Sequence, residues 1–279
     1  MSKLDIDNHF DLSGSFAIVT GGAGLLGKAH ATALLALNCD VELWDVSSQA
    51  LQMCKNELSQ TYPDSSVQVR CIDITKEDAI VQASADLKKK RQVVDILINN
   101  AALNPKIDKD SLNQGRHFEE YSLESYESEL AVGLTGAMLC AKHLGSMMAK
   151  QGKGVILNIA SDLSVIAPDQ RIYEISGVPP ELQFKKPVSY SVIKAGLVGL
   201  TKYLATYWAE SGVRVNALSP GGVLENQNPE FVNKVINLIP MGRMASKSEY
   251  IGAVQFLCSD ASAYMTGQNI VMDGGRSVW

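Results

Sequence analysis

Seven short apolar runs, rich in β-branched residues, punctuate the chain: 16–20 (FAIVT), 41–45 (VELWD), 67–71 (VQVRC), 94–98 (VDILI), 155–160 (VILNIA), 213–218 (VRVNAL) and 269–272 (NIVM). Most are near-continuous rather than alternating in hydrophobicity, as strands covered on both faces are. Between most of them lie a dozen or more residues with the apolar spacing of a helix. Strand and helix alternating in this way predict an α/β fold, a doubly wound parallel sheet of about seven strands with helices on both faces. No linker, composition shift or fixed-period repeat interrupts the pattern, so residues 1–279 are expected to form one domain. Two polar, turn-rich stretches break the rhythm, 102–122 and 162–188, the second carrying Pro168, Gly177, Pro179, Pro180 and Pro187. Stretches of this length inside a compact domain commonly serve a site.

Composition narrows the partners. An apolar fraction of 46% supports a sizeable core, and a net charge of -5, from 25 basic against 30 acidic residues, argues against nucleic acid. The one basic cluster, Lys88-Lys89-Lys90-Arg91, reads as a solvated helix end that complements the helix dipole. Five cysteines are scattered without a CxxC pair, so neither a disulfide framework nor a zinc site is expected, and a reducing cytoplasm fits. His9, His30, His117 and His143 lack metal-ligand spacing, and no metal is expected. The opening MSKLDIDNHF has no apolar signal core and no run approaches the roughly 18 apolar residues of a membrane helix, so no membrane partner is expected.

The first run leads straight into Thr20-Gly21-Gly22-Ala23-Gly24-Leu25-Leu26-Gly27, followed by a helix-forming stretch at 28–37. In that context Gly21, Gly24 and Gly27 let the backbone approach a pyrophosphate, and the helix N-terminus offers free N–H groups and partial positive charge. The reading is a dinucleotide site on a Rossmann-like sheet. Asp45 ends the second strand 18 residues after Gly27, where a carboxylate accepts hydrogen bonds from the adenosine ribose. The same carboxylate repels a 2′-phosphate, so NAD is expected over NADP, with Lys28 the one basic residue nearby that speaks the other way. Asp73, at the end of the third strand, reads either as an adenine contact or as a helix cap.

Tyr190 and Lys194 stand four residues apart in SYSVIKAG, and Ser161 lies 29 positions before Tyr190 at a strand end. On a helix over 189–211 that spacing stacks phenol and ammonium on one face, about 5–6 Å apart at Cβ. A phenol of pKa near 10 is a poor base at neutral pH, and a fixed positive charge beside it is expected to lower that value. The trio suits the interconversion of alcohols and carbonyls.

Together with CIDIT, Asn99-Asn100-Ala101-Ala102, NIAS, YSVIK, VRVNALSPGG and FLCSDASAYMTGQNIVMDGG, these motifs resemble the small, single-domain short-chain dehydrogenase/reductase family over nearly the whole length. The resemblance implies an NAD(P)-dependent oxidoreductase acting on CH–OH groups, with Tyr190 as general acid or base and Lys194 tuning it and binding the nicotinamide ribose. Ser161 would hydrogen-bond the substrate oxygen. The cofactor would lie against Gly21, Gly24, Leu25, Leu26, Gly27, Asp45, Asp73, Ile74, Asn100, Ala101, Ala102, Tyr190, Lys194, Pro220, Gly221 and Val223. A homotetramer built through 123–150, 189–211 and the C-terminal segment would follow, although the stripe Ala195, Leu197, Val198, Leu200 and Leu204 could equally be core.

Several positions depart from the family pattern. Leu25 stands where the second glycine of the phosphate turn is usual, Gly133 replaces the catalytic-helix asparagine, and Leu224, Glu225 and Asn226 occupy the region of a customary threonine. The Ser-to-Tyr interval is lengthened by an insertion near 162–188, which makes Tyr173 a rival base and a candidate substrate contact. The insertion also carries Asp169, Arg171, Glu174, Lys185 and Lys186, a set suited to a hydroxyl-rich or anionic ligand. The stretch IAPDQRIYE, with VGLTG and SPGG followed by an NQ pair, resembles bacterial flagellin-modification and other surface-glycan oxidoreductases, which implies a sugar, sugar phosphate or nucleotide sugar; the substrate expected is a sugar or polar polyol derivative. The alternative is a Rossmann-fold binding or regulatory protein with impaired catalysis.

Overall fold

All seven apolar runs become strands of one parallel sheet. They are β1 (Phe16–Thr20), β2 (Asp40–Asp45), β3 (Val67–Cys71), β4 (Ile96–Asn99), β5 (Gly154–Ile159), β6 (Val213–Pro220) and β7 (Asn269–Met272), in the spatial order β3-β2-β1-β4-β5-β6-β7. The structure is a computed structural model and describes residues 9–103 and 117–279. Most of the interruption expected at 102–122 therefore lies outside the described residues. β4 starts two residues later than the apolar run because Asp95 turns its carboxylate onto the Phe16 N–H, at 2.9 Å.

The strands bury both faces. Ala17 and Val19 pack on one side with α1 (Leu25–Leu35), α2 (Ser48–Thr61) and α9 (Ile251–Cys258). Phe16 and Ile18 pack on the other with α3 (Glu77–Lys89), the helical stretch from Leu123 to Gln151 and α7 (Val188–Tyr207). The stretch comprises α4 (Leu123–Leu130), α5 (Gly136–Cys140) and α6 (Ser146–Gln151), joined by two wide π-turns, Ala131–Thr135 and Ala141–Gly145. A short helix, α8 (Pro229–Ile236), follows β6. The expected basic cluster is indeed a helix end, with Lys88 and Lys89 in the last turn of α3 and Lys90 at its C-cap.

Chain order reverses between β1, which neighbours β2, and β4, so a crevice opens there beyond the carboxyl ends of the strands. The glycine turn after β1, Asn99–Ala102 after β4, Ser161 after β5 and Pro220–Val223 at the end of β6 all gather at that edge.

Candidate active site

α1 begins at Leu25, three residues earlier than expected, so Gly27 belongs to its first turn. The helix has no side-chain cap and no acidic residue in that turn, which leaves its opening N–H groups for an anion. Gly21 adopts φ 60°, and a Cβ there would lie 2.8 Å from Ala101 Cα; a Cβ on Gly27 would lie 2.1 Å from the Gly21 carbonyl. Both glycines are thus required by backbone approach rather than by flexibility. Leu25 is 42% exposed and takes no space from the turn. The Asn100 amide donates to the Thr20 and Gly21 carbonyls at 3.0 and 3.1 Å, and the Thr20 hydroxyl accepts from the Asn100 and Ala101 N–H groups at 3.0 and 3.1 Å. Thr20 was not singled out by sequence, yet it locks β1 to β4 at the crevice.

Asp45 accepts from Ala23 N–H at 3.3 Å and Ser47 N–H at 3.1 Å, which fixes its carboxylate beside the turn. Asp73 spends Oδ1 on the Thr75 N–H and hydroxyl, at 2.9 and 2.7 Å, which closes a local turn; it does not cap α3, whose N-cap is Lys76 without a side-chain bond. Ile74 is buried and closes on Gly136, where a Cβ would meet its Cδ1 at 2.7 Å. Ala102 is exposed beyond Ala101. Past β6, Pro220 is buried, the Gly221 N–H donates to Met272 O at 2.8 Å, and Val223 bridges Ala245. Taken together, the turn, the uncapped helix and Asp45 fit a dinucleotide.

At the other end of the crevice Ser161, Tyr190 and Lys194 converge. Ser161 is buried, donates to Asp162 Oδ1 at 2.8 Å and accepts from Leu163 N–H at 3.2 Å. Lys194, 6% exposed, donates to the Ile159 carbonyl at 2.8 Å, and its ammonium is 5.7 Å from the Tyr190 ring centroid. Burial pulls Lys194 down to about 8, with the Lys186 charge adding to the effect. The phenol does not follow the expectation of a lowered pKa: burial pushes Tyr190 up, partly offset by the Ser161 hydroxyl, while the Asp162 carboxylate pushes the same way as burial. Desolvation sets the direction of the shift.

Gly133, in the first π-turn, faces Ile193, whose Cγ2 would lie 2.8 Å from any Cβ added there. The place of the usual asparagine side chain is therefore filled by an apolar one. Behind Lys194, Asn99, Asn158 and Thr201 form a buried chain, Asn99 donating to Asn158 at 2.9 Å and Asn158 to Thr201 at 2.8 Å.

The Tyr173 ring packs on Phe184 and Phe231, at 5.4 and 5.6 Å between centroids, and burial raises its pKa. It lies near enough to Tyr190 for the two phenols to couple, so it walls the same end. The charged set expected to face a ligand is largely spent on itself: Arg171 forks onto Asp169 at 2.9 and 2.7 Å, and Lys185 approaches Glu174 at 3.9 Å. Gln183 staples the insertion by accepting from Ile175 N–H and donating to Ile175 O and Val178 O.

Sequence reasoning missed Asp162 and Arg276. They form a buried ion pair at 2.9 Å, with side chains 4% and 10% exposed, and Asp162 is the acceptor of the Ser161 proton. Gly274 and Gly275, at φ 67° and 89°, turn the chain just before Arg276, which reaches the Asp162 carboxylate. Nothing local could have signalled a partner 114 residues away.

This fold and this convergence define a nicotinamide-dinucleotide oxidoreductase of CH–OH groups, which carries a hydride between cofactor and an alcohol or carbonyl carbon. Residues 15–234 match the family model described as short chain dehydrogenase, and the chain belongs to that family. It is similar to an NAD-dependent glycerol dehydrogenase of Listeria innocua, 31% identical over 283 residues and covering 100% of both chains. A D-threitol dehydrogenase of Mycolicibacterium smegmatis is 31% identical over 282 residues, covering 99% of this chain and 98% of that one. Among solved structures, a short chain dehydrogenase from Leptospira borgpetersenii with bound NAD+ superposes with TM-score 0.81 at 31% identity, covering 96% of this chain and 94% of that one. The reading as a binding protein without catalysis is not favoured. Among the described residues no helix is long and apolar enough to cross a membrane.

Proposed function

We propose that the chain interconverts a secondary alcohol of a small polyol or sugar derivative with the matching ketone, using NAD in preference to NADP. The observation that carries the reading is the convergence of Ser161, Tyr190 and Lys194 at the end of the crevice opposite the glycine turn. The backbone of Gly21, Gly24, Leu25, Leu26 and Gly27 would hold the pyrophosphate, Asp45 the adenosine ribose hydroxyls, and Asp73 with Ile74 the adenine side. Asn100, Ala101 and Ala102 would flank the middle of the cofactor, Pro220, Gly221 and Val223 its nicotinamide end, and Lys194 the ribose there. When bound, NAD supplies the hydride acceptor at the substrate carbon.

In the oxidative direction Tyr190 takes the hydroxyl proton, Lys194 holds positive charge next to it, and Ser161 contacts the oxygen on which charge develops. Asp45 supports NAD because its carboxylate would face a 2′-phosphate with like charge. The substrate class is supported by the relatives named for glycerol and threitol, so a free polyol is preferred to the surface-glycan sugars suggested by the finer resemblance. We take the protein to work in the cytoplasm as a homotetramer. The stripe on α7 divides, with Leu197 and Leu204 buried and Ala195 exposed, while Tyr203 and Tyr207 stack at 5.8 Å on the open face and would be covered in the assembly. Light scattering showing a monomer would remove that part.

The test is the change in nicotinamide absorbance with NAD or NADP across glycerol, threitol, other polyols, nucleotide sugars, and aliphatic and steroid alcohols. Turnover led by the polyols with NAD is expected. Far better use of aliphatic or steroid alcohols would overturn the substrate class.

A further inference from the structure

Lys186 stands at the same four-residue interval from Tyr190 as Lys194, on the other side and just outside α7. Its ammonium lies 3.8 Å from the Tyr190 ring centroid, nearer than the 5.7 Å of Lys194. The backbone of Lys186 is clamped by one side chain: its N–H donates to Gln170 Oε1 at 2.8 Å, and its carbonyl accepts from Gln170 Nε2 at 3.4 Å. Pro187 follows with fixed φ, caps α7, and accepts the Tyr190 N–H at 3.2 Å. Lysine and phenol are therefore held in register by a short, stiff piece of backbone whose outer end is anchored in the insertion.

We propose that Lys186 is a positioning residue that sets the protonation of Tyr190, its ammonium lying over the ring face and favouring the phenolate. A cation over a neutral phenol meets only the ring quadrupole, whereas over a phenolate it meets a full negative charge, so the charged form gains more. Lys194, turned onto the Ile159 carbonyl, sits further from the ring. Lys186 also repels the Lys194 ammonium, in the same direction as burial. One charge thus lowers two proton affinities, that of the base and that of its partner.

The other groups facing Tyr190 come from every neighbouring element. Ser161 favours the phenolate and Asp162 opposes it. Arg276 neutralises Asp162 from the C-terminal segment, and Tyr173 couples from the insertion. On α4, Glu129 accepts the proton of Ser189, the residue before Tyr190. Among the described residues, Lys186 and Lys194 are the cations recorded over the ring itself.

The inference rests on Tyr190 as acid or base, and its test separates the two. Ultraviolet titration of the phenolate, each protein minus its Tyr190→Phe counterpart, needs no substrate. Lys186→Met is expected to raise the Tyr190 midpoint by about one pH unit or more, and Lys186→Arg to keep it near wild type. In turnover of an alcohol, Lys186→Met should move both limbs of the kcat/KM profile to higher pH together. An unmoved titration midpoint would overturn the proposal, as would a fall in kcat or a rise in KM with the limbs in place. Absence of turnover in the wild type would sink the proposed function alone, and the titration would still decide Lys186.

Discussion

The two ends of the crevice are built from different materials. The nucleotide end is mostly backbone: Gly21 and Gly27 where a Cβ has no room, an uncapped helix start, and Thr20 and Asn100 bracing the turn through main-chain atoms. The proton-transfer end is built from buried charge: Lys194, Asp162 and Arg276 are each at least about nine-tenths buried, and Lys186 leans on the phenol between them. Backbone geometry depends on local sequence and tolerates little variation in spacing. Buried charges depend on partners brought from anywhere in the chain, and each must be compensated.

The sharpest test of that contrast is Tyr190→Phe. It should lower kcat about 10²–10⁴-fold with NAD binding by calorimetry intact, because only the proton-transfer end has been touched. Loss of NAD binding would show that the two ends are not separable. Arg276→Met, which leaves Asp162 charged and buried without its cationic partner, should cost about 3–5 kcal/mol in denaturant unfolding. Pairing it with Asp162→Asn should recover most of that loss; a single substitution without effect would mean that the pair is open to water. The smallest effect belongs to the nucleotide end: Asp45→Ala should shift the ratio of kcat/KM for NAD over NADP by roughly tenfold toward NADP, the scale of one lost charge-assisted hydrogen bond. An unchanged ratio would deny Asp45 its ribose.

The same division governs how much could be read from sequence. Strands covered on both faces leave an uninterrupted apolar signature, so β1, β3 and β7 run over the expected residues and the others within about two positions. The glycine turn was legible because its function is local, although α1 starts earlier than a helix-former count suggests: the last glycine lies inside its first turn. Ser161, Tyr190 and Lys194 were visible as motif and spacing. Their electrostatics were not, because the direction of the shift is set by the desolvation of a ring whose burial no spacing reports. Lys186 was in view only as one of the insertion's charges for a ligand; that it reaches the Tyr190 ring across Pro187 needed the fold. Gly133 read as a missing asparagine; that Ile193 fills the gap needed the packing of α7 against the first π-turn.

The bond between Asp162 and Arg276 also imposes an order on biogenesis. A chain emerging from the ribosome presents the carboxylate beside Ser161 more than a hundred residues before the guanidinium that neutralises it. Until that segment has been made, the serine loop carries a charge it cannot comfortably bury, so the pocket stays unfinished on the nascent chain.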